Sequence, residues 1–504
     1  MPESTYDVLI VGAGIAGSSL AHALSTLPRS KPLRIGLLER SLAEPDRIVG
    51  ELLQPGGVSA LRTLGLEPCL EGIDAIPVRG YCVVEDGKSV HIPYPGAHEG
   101  RSFHHGRFIM ALRDAARRAR GVEVVEATVT DLIEEEGRVV GVRAARKAGA
   151  EKEAFYANLV VIADGCFSNF RTAVMGSAGA KSTTSSHFVG AVLEDARLPI
   201  PNHGTVALIK GFGPVLLYQI SERDTRMLVD VKTPLPSDLK AHILTNIVPQ
   251  LPSALHLPIQ IALDRDRIRR MPNSFLPPVE QGSKPGVILL GDSWNMRHPL
   301  TGGGMTVALN DVVMLRTLLG EVSNLTDADE MKRLLHQWHW ARKPLSSTIN
   351  ILSVALYDLF GADDEQLAVL RTGCFKYFER GGECVNGPVS LLSGIAPSPM
   401  LLANHFFSVA FYSIWVMFTH SLPVRSSPDA KLVYTVARVD QYPFLFFKAI
   451  RVFWTACVVF GPLLWSEIRW WAPTDTRRRN VVFAKAALPV LAVMGGLVWT
   501  LRVL

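Results

Sequence analysis

The pattern of apolar and polar positions divides the chain into segments of different period. Tyr6–Val11 is a short β-branched run that reads as a buried parallel strand, and it is followed by a helical stretch, Ser18–Leu27. Leu33–Leu38 reads as a second strand, and Leu159–Ala163 and Gly286–Leu290 as two more of the same continuous kind. A helix follows the last of these, through Leu318. Between Ser182 and Pro285 the pattern changes to alternation, at Val206–Lys210, Val215–Ile220 and Met227–Val231, with one helical stretch at Leu239–Val248. Together with the segment around Val78–Pro93 this predicts a separate sheet inserted into the first fold.

The last third is different again. From Val385 to Val424 there are 40 consecutive residues without Asp, Glu, Lys or Arg. The apolar window Met400–Phe418 is 19 residues long, close to the ~20 that cross a bilayer, although Asn404, His405, Ser408 and Ser413 interrupt it. Val452–Trp465 offers 14 uncharged residues and Ala486–Leu501 offers 16, each with a proline, and Arg477–Arg479 and Lys485 precede the second. The short lengths, prolines and flanking cations favour a helical platform dipped into one leaflet over true spans. A buried soluble helical domain fits Met400–Phe418 but not the Trp-rich, Arg-flanked end.

Composition changes the picture in two places. With 504 residues, 48% hydrophobic and 20% charged, and a mean hydropathy of +0.20, the chain is neither disordered nor a single small domain. Six cysteines and no CxxC pair exclude a disulfide scaffold. Residues 425–504 hold 11 Lys/Arg against 4 Asp/Glu, so the net charge of +5 resides in the greasy C-terminal end. That combination points to a membrane surface rather than nucleic acid. Met1–Ser4 lead straight into a strand with no basic start or cleavage site, so a cytosolic N-terminus is expected.

The candidate chemistry lies at the strand ends. Gly12-Ala-Gly14-Ile-Ala-Gly17 follows the first strand: Gly12 for the tight turn, Gly14 for close approach of a pyrophosphate, Gly17 for close helix packing. Glu39 ends the second strand, 27 residues after Gly12, placed for a ribose hydroxyl; the residues Pro28–Pro32 account for the excess over the usual spacing of about 20. The strand ending in Asp164-Gly165 and the strand ending in Gly291-Asp292, followed by Gly302–Gly304, each have a plain reading as turns or caps. An NAD dehydrogenase needs only the first signal. All three in this order identify FAD, with Asp292 near the ribityl chain and the helix start after Gly302 near the flavin edge. No nucleophile elbow, HExxH or closely spaced Cys/His set is present, and His104 and His105, being adjacent, point apart; no metal is expected.

Three blocks carry a more specific resemblance: Asp46–Gly57, Gly100–Arg113 and Leu290–Thr306. They resemble the squalene monooxygenase (squalene epoxidase) family, in register from about Tyr6 to Leu319 and more loosely beyond. The resemblance implies an α/β fold, with a glutathione-reductase-type FAD-binding Rossmann domain, an inserted mixed-sheet substrate domain and a C-terminal membrane-associated helical region. The expected bounds are 1–75, 100–181 and 285–345 for the FAD domain, 76–99 and 182–284 for the substrate domain, and 346–504 for the anchor.

It also implies a reaction: epoxidation of squalene to (S)-2,3-oxidosqualene with O2 by a flavin hydroperoxide. Electrons come from a separate NADPH–cytochrome reductase, at the endoplasmic reticulum membrane, with lipid droplets as a further location. By motif position, Ile15 and Ala16 line the pyrophosphate turn and Glu39 and Arg40 sit at the adenosine end. Arg47 and Leu52 lie nearer the ring, and Arg113, Val129, Asp292 and Met305 complete the FAD contacts, with Arg107 as a second candidate. Arg107 and Arg113 also read as solvated charge on a helix rich in arginine. Tyr81 matches the active-site tyrosine, with Gln54 as its hydrogen-bonding partner; alone, Tyr81 reads as an ordinary strand aromatic. Squalene offers no ionisable proton, so both residues are expected to position and polarise rather than act as bases. Two other readings fit parts of the pattern: a self-sufficient NADPH-dependent aromatic hydroxylase of the same fold, and a non-enzymatic prenyl-lipid escort that has lost its flavin contacts.

Overall fold

The computed structural model describes residues 6–29, 31–146, 152–179, 181–265, 268–361, 364–420, 422–424 and 433–468. The continuous apolar runs form one parallel sheet. Tyr6–Val11 lies between Ile35–Glu39 and Lys152–Ile162, with Val122–Glu135 outside the first neighbour and Val287–Leu289 outside the second. Arg138–Arg146 pairs antiparallel with the far ends of Val122–Glu135 and Lys152–Ile162. Strands such as Val8–Ile10 and Val160–Ile162 are fully buried on both faces, which is why they show no alternation. The first helix, Ile15–Ser25, packs close to its strand at Gly17, where a Cβ would lie 1.9 Å from the Gly12 carbonyl oxygen.

The alternating segments form a second, seven-stranded sheet. Its order is Arg269–Phe275, Thr183–Glu194, Asp224–Lys232, Val215–Gln219, Gly204–Ala207, Gly80–Glu85, Lys88–Pro93. The two segments far apart in sequence meet where Gly204–Ala207 runs parallel to Gly80–Glu85, with Gly204 opposite Tyr81. One face packs on the helical turns of 239–265; the other packs on Ile48, Leu52, Leu300 and the C-terminal helices. The predicted helix Leu239–Val248 is broken into an α turn, a π turn and a 3₁₀ turn, the last beginning at Val248-Pro249, where proline supplies no amide hydrogen.

Gly304–Glu321 links the two halves. It is clasped to the long helix Ala328–Phe360 by a buried bidentate pair, Arg342 Nε and Nη2 each 2.8 Å from an Asp311 oxygen, and the same guanidinium lies 4.3 Å from the Trp294 ring. Asp327 starts the long helix by accepting from the amides of Asp329 and Glu330, both at 2.9 Å.

The C-terminal helices are Glu365–Glu379, Glu383–Leu392, Pro399–Thr419 and Tyr442–Ile468. Two described helices are long and apolar enough to cross a membrane, Pro399–Thr419 and the 439–461 stretch, and a bent pair formed by Ala328–Phe360 and Glu365–Glu379 makes a third candidate. The first is more than half buried in the protein, whereas only 22% of the second is. The second also begins before the uncharged run Val452–Trp465, and Lys448 within it turns its ammonium to Glu365 at 2.5 Å. The Ala486–Leu501 segment and the cations before it lie outside the described residues. These candidate spans fit membrane association.

Candidate FAD and substrate site

A cavity of about 1510 Å³, open to solvent, runs from the glycine turn of the parallel sheet to the face of the second sheet. Gly14, Ile15 and Ala16 line one end; Arg47, Asp292 and Met305 line the middle; Leu52, Gln54 and Tyr81 line the far end. The sequence placed all nine in one site, and the fold brings them together.

The remaining expected residues stand behind or away from it. Gly12 and Gly17 shape the turn from beneath. Glu39 Oε2 accepts the Ala13 amide at 2.8 Å, so its carboxylate braces the glycine turn. Arg113 is buried, donating from Nε to the Ala13 carbonyl at 2.9 Å and from Nη1 to the Ala43 carbonyl at 3.0 Å, which rules out solvated charge for this arginine. Arg107, on the same helix, His105–Arg118, points the other way. It pairs with Asp74 at the surface and does not reach the cavity, because six positions along a helix turn the side chain through about 600°. Arg40 is exposed, and Val129 is half-buried against the core of the parallel sheet; neither lines the cavity.

The cavity fits FAD. Two helices begin on it, Ile15–Ser25 and Gly304–Glu321, and neither has a side-chain cap or an acidic residue in its first turn. Their free amides and dipoles present positive ends to an anionic ligand. A Cβ on Gly14 would meet nothing within 4 Å, leaving the space a pyrophosphate needs. Thr301 Oγ1 is buried on the cavity wall without a partner, a polar group that a ligand can satisfy. Arg171 holds the floor: it donates to the carbonyls of Cys166 at 2.6 Å, Ser293 at 2.9 Å and Asp292 at 3.0 Å, tying the Asp-Gly turn to the Gly-Asp turn.

At the far end a buried amide organises two tyrosines. Gln54 Nε2 donates to the Tyr81 hydroxyl and to the Thr301 carbonyl at 2.9 Å, while Tyr94 donates to Gln54 Oε1 at 2.6 Å. Gly302, at φ +62°, brings this turn so close that a Cβ there would lie 3.1 Å from Gln54 Nε2. Burial pushes the Tyr81 hydroxyl up to about 12, so it stays protonated. Tyr81 accepts from Gln54 and keeps its own hydrogen to donate.

Sequence reasoning missed several residues here. Glu51 and Tyr218 line the cavity, and Arg226 binds Glu51 from behind. His105 also lines it, donating from Nδ1 to the Gly50 carbonyl at 2.8 Å, while His104 turns away to Asp224 at 3.0 Å. Glu51 and His105 were inside the blocks that carried the resemblance, but nothing in their local pattern marked them as inward. Among the described residues no three His, Cys, Asp or Glu side chains gather as a metal site.

Fold and cavity together define an FAD-dependent monooxygenase. An FAD-binding-domain profile matches residues 78–192, and a probable FAD-dependent monooxygenase from Pseudomonas aeruginosa superposes with a TM-score of 0.61 at 20% identity, covering 74% of this chain and 99% of its own. More specifically, the chain belongs to the squalene epoxidase family, whose profile matches residues 156–430. It is 45% identical to squalene epoxidase erg1 of Aspergillus fumigatus, over 92% of this chain and 93% of that one. It is 43% identical to squalene monooxygenase of Mus musculus, over 92% and 78%.

Proposed function

We propose that this protein epoxidises squalene to (S)-2,3-oxidosqualene, with electrons delivered from NADPH by a separate reductase at the endoplasmic reticulum membrane. One atom of O2 enters the alkene and the other leaves as water with two electrons and two protons. Bound FAD supplies the activation of O2.

The observation that carries this reading is the make-up of the far end of the cavity. Its walls are Leu52, Val206, Leu216, Leu217, Leu228 and Leu300; the Tyr81–Gln54 pair and Tyr218 are among the polar groups there, and Glu51 is tied to Arg226 rather than left as a free base. A hydrocarbon substrate needs such walls and offers no proton to abstract. The Tyr81 hydroxyl is held by Gln54 as a donor whose hydrogen can meet oxygen as it accepts charge in the transition state. The apolar walls hold the terminal alkene in place and exclude water. We assign FAD contact to Gly14, Ile15, Ala16, Arg47, Asp292 and Met305, and support of the glycine turn to Glu39 and Arg113.

A second, almost wholly apolar pocket, of about 800 Å³ counting the solvent at its mouth, lies among the C-terminal helices, walled by Leu356, Phe378, Phe406 and Phe460 among others. Leu356 and Phe378 also pack on the apolar cluster that holds Tyr81 and Leu52. Apolar side chains alone thus separate this greasy cavity from the cluster that holds Tyr81 and Leu52.

The test is reconstitution. Purified protein in detergent, with FAD, O2, squalene, NADPH and microsomal NADPH–cytochrome reductase, is expected to form oxidosqualene only when the reductase is present. Untouched squalene, in a preparation that binds FAD and oxidises NADPH unaided, would overturn the proposal in favour of a self-sufficient hydroxylase. A preparation that binds no flavin would favour the lipid escort.

A further inference from the structure

His298 lies outside the catalytic pair, one turn before the loop that carries Thr301. The imidazole is buried, stacked on Tyr357 with ring centroids 4.3 Å apart and edge-on to Phe188 at 5.4 Å. Its Nδ1 accepts the Leu300 amide at 3.2 Å, capping the short 3₁₀ turn Pro299–Thr301. A backbone amide can only donate, so Nδ1 carries no hydrogen and Nε2 carries it. Nε2 faces Asp230 Oδ1 at 3.3 Å and Ser186 Oγ at 3.2 Å. Those acceptors are themselves fixed from the second sheet: Ser186 and Asn273 donate to Asp230 Oδ1 at 2.5 and 2.9 Å.

The turn so capped ends in the Thr301 carbonyl, which accepts from Gln54 Nε2 at 2.9 Å; the same nitrogen donates to Tyr81. Gly302, at a left-handed φ, follows directly and leads into the helix that begins on the FAD cavity. The contacts therefore form one series from the second sheet to the catalytic pair.

We propose that His298 is a positioning residue for the epoxidation: with Asp230 fixing its tautomer, it caps the turn that holds Gln54 against Tyr81. The proposal rests on the epoxidase reading for its consequence, though not for the contact itself. Removing the cap frees the Leu300 amide inside the protein, where an unpaired donor is costly, and the turn rearranges to satisfy it. Gln54 then loses the carbonyl that fixes its amide.

Three variants separate the two ends of the imidazole. Asn carries its side-chain oxygen where Nδ1 lies and is a favoured cap, whereas Gln carries its amide out towards Nε2 and leaves the cap unfilled. With full-length protein, His298→Ala and His298→Gln are expected to lower kcat by roughly tenfold to a hundredfold, the size of a small misplacement of catalytic groups. KM for squalene and FAD content should stay near wild type, and His298→Asn should keep most of the rate. A readout independent of turnover is amide hydrogen exchange over 296–306: faster in the Ala and Gln variants, and as slow as wild type in the Asn variant. Wild-type kcat and exchange in His298→Ala, or Gln and Asn variants that behave alike, would overturn the proposal. If His298→Ala does not fold, the Asn–Gln contrast decides alone. A wild-type protein inert towards squalene would overturn the epoxidase reading instead, while the exchange pattern still decides the cap.

Discussion

Arg226 grips Glu51 with two nitrogens, Nε 2.7 Å from Oε2 and Nη2 2.8 Å from Oε1, and only 7% and 1% of the two side chains reach solvent. Arg226 belongs to a strand of the second sheet; Glu51 immediately precedes Leu52, Leu53 and Gln54. The pair therefore pins the Leu52–Gln54 segment to the sheet that presents Tyr81. Opposite charges taken out of water together tolerate each other, but one left alone does not. Glu51→Gln is expected to destabilise the protein by about 3–5 kcal/mol, read as a lower melting temperature in detergent. The double variant Glu51→Leu/Arg226→Met should recover much of that loss. If the double variant melts no higher than Glu51→Gln, the two charges are not coupled as the geometry says.

Tyr81→Phe removes one oxygen and keeps the ring, which packs edge-on against Tyr94 with centroids 5.7 Å apart. Stability and FAD content should therefore change little. The rate should fall roughly 10²-fold, the usual cost of losing one donor to charge developing in a transition state. Full turnover in a variant with unchanged FAD would show that the hydroxyl has no part in the reaction.

Acid should loosen the protein through His105. Burial, with Arg47 close by, pushes its imidazole down from 6.5 to about 4, so the folded chain keeps it neutral where the unfolded chain takes up a proton. Its contribution is fully present above pH 6.5 and is lost as the pH falls towards 4, on the order of 3 kcal/mol in total. In His105→Gln, which cannot take up a proton, the fall in melting temperature between these pH values should be shallower than in the wild type. Parallel curves for the two proteins would assign the acid sensitivity to other groups.

How much of this was legible in the sequence depended on distance along the chain. The turn at Gly12–Gly17, and the Asp292–Met305 approach to a helix, are local events, each contained in one short strand-to-helix passage of the chain. Arg113 could not be separated from Arg107 by composition, since both stand in one arginine-rich helix; only packing shows that Arg113 is beneath the Ala13 carbonyl and Arg107 beside Asp74. The Glu51–Arg226 pair joins residues 175 apart, and the His298–Asp230 contact joins residues 68 apart, with no local signature at either end. The β-like runs of the second sheet marked its strands, but its central strands are buried on both faces, so the pattern could not say which face meets the site, and the parallel junction of Gly204 with Tyr81 follows from tertiary closure alone.

The surface of the Tyr442–Ile468 helix makes the last prediction. Phe447, Ile450, Trp454 and Val458 are 69%, 54%, 68% and 51% exposed, and their spacing of three or four residues puts them in one stripe. Phe444 and Phe446 widen it, while Val452, Ala456 and Phe460 on the other side are buried against the protein. A stripe of this kind in water would be an aggregation liability; in a lipid leaflet each large side chain gains about 1.5–3 kcal/mol. Phe447→Ser, Trp454→Ser and Val458→Ser together should therefore weaken membrane attachment by more than a hundredfold, on the order of several kcal/mol. Because these side chains face outward, the fold and FAD content should be unaffected. The measurement is flotation of the purified triple variant with liposomes. Wild-type flotation would place the attachment elsewhere in the chain and leave this stripe without a role in it.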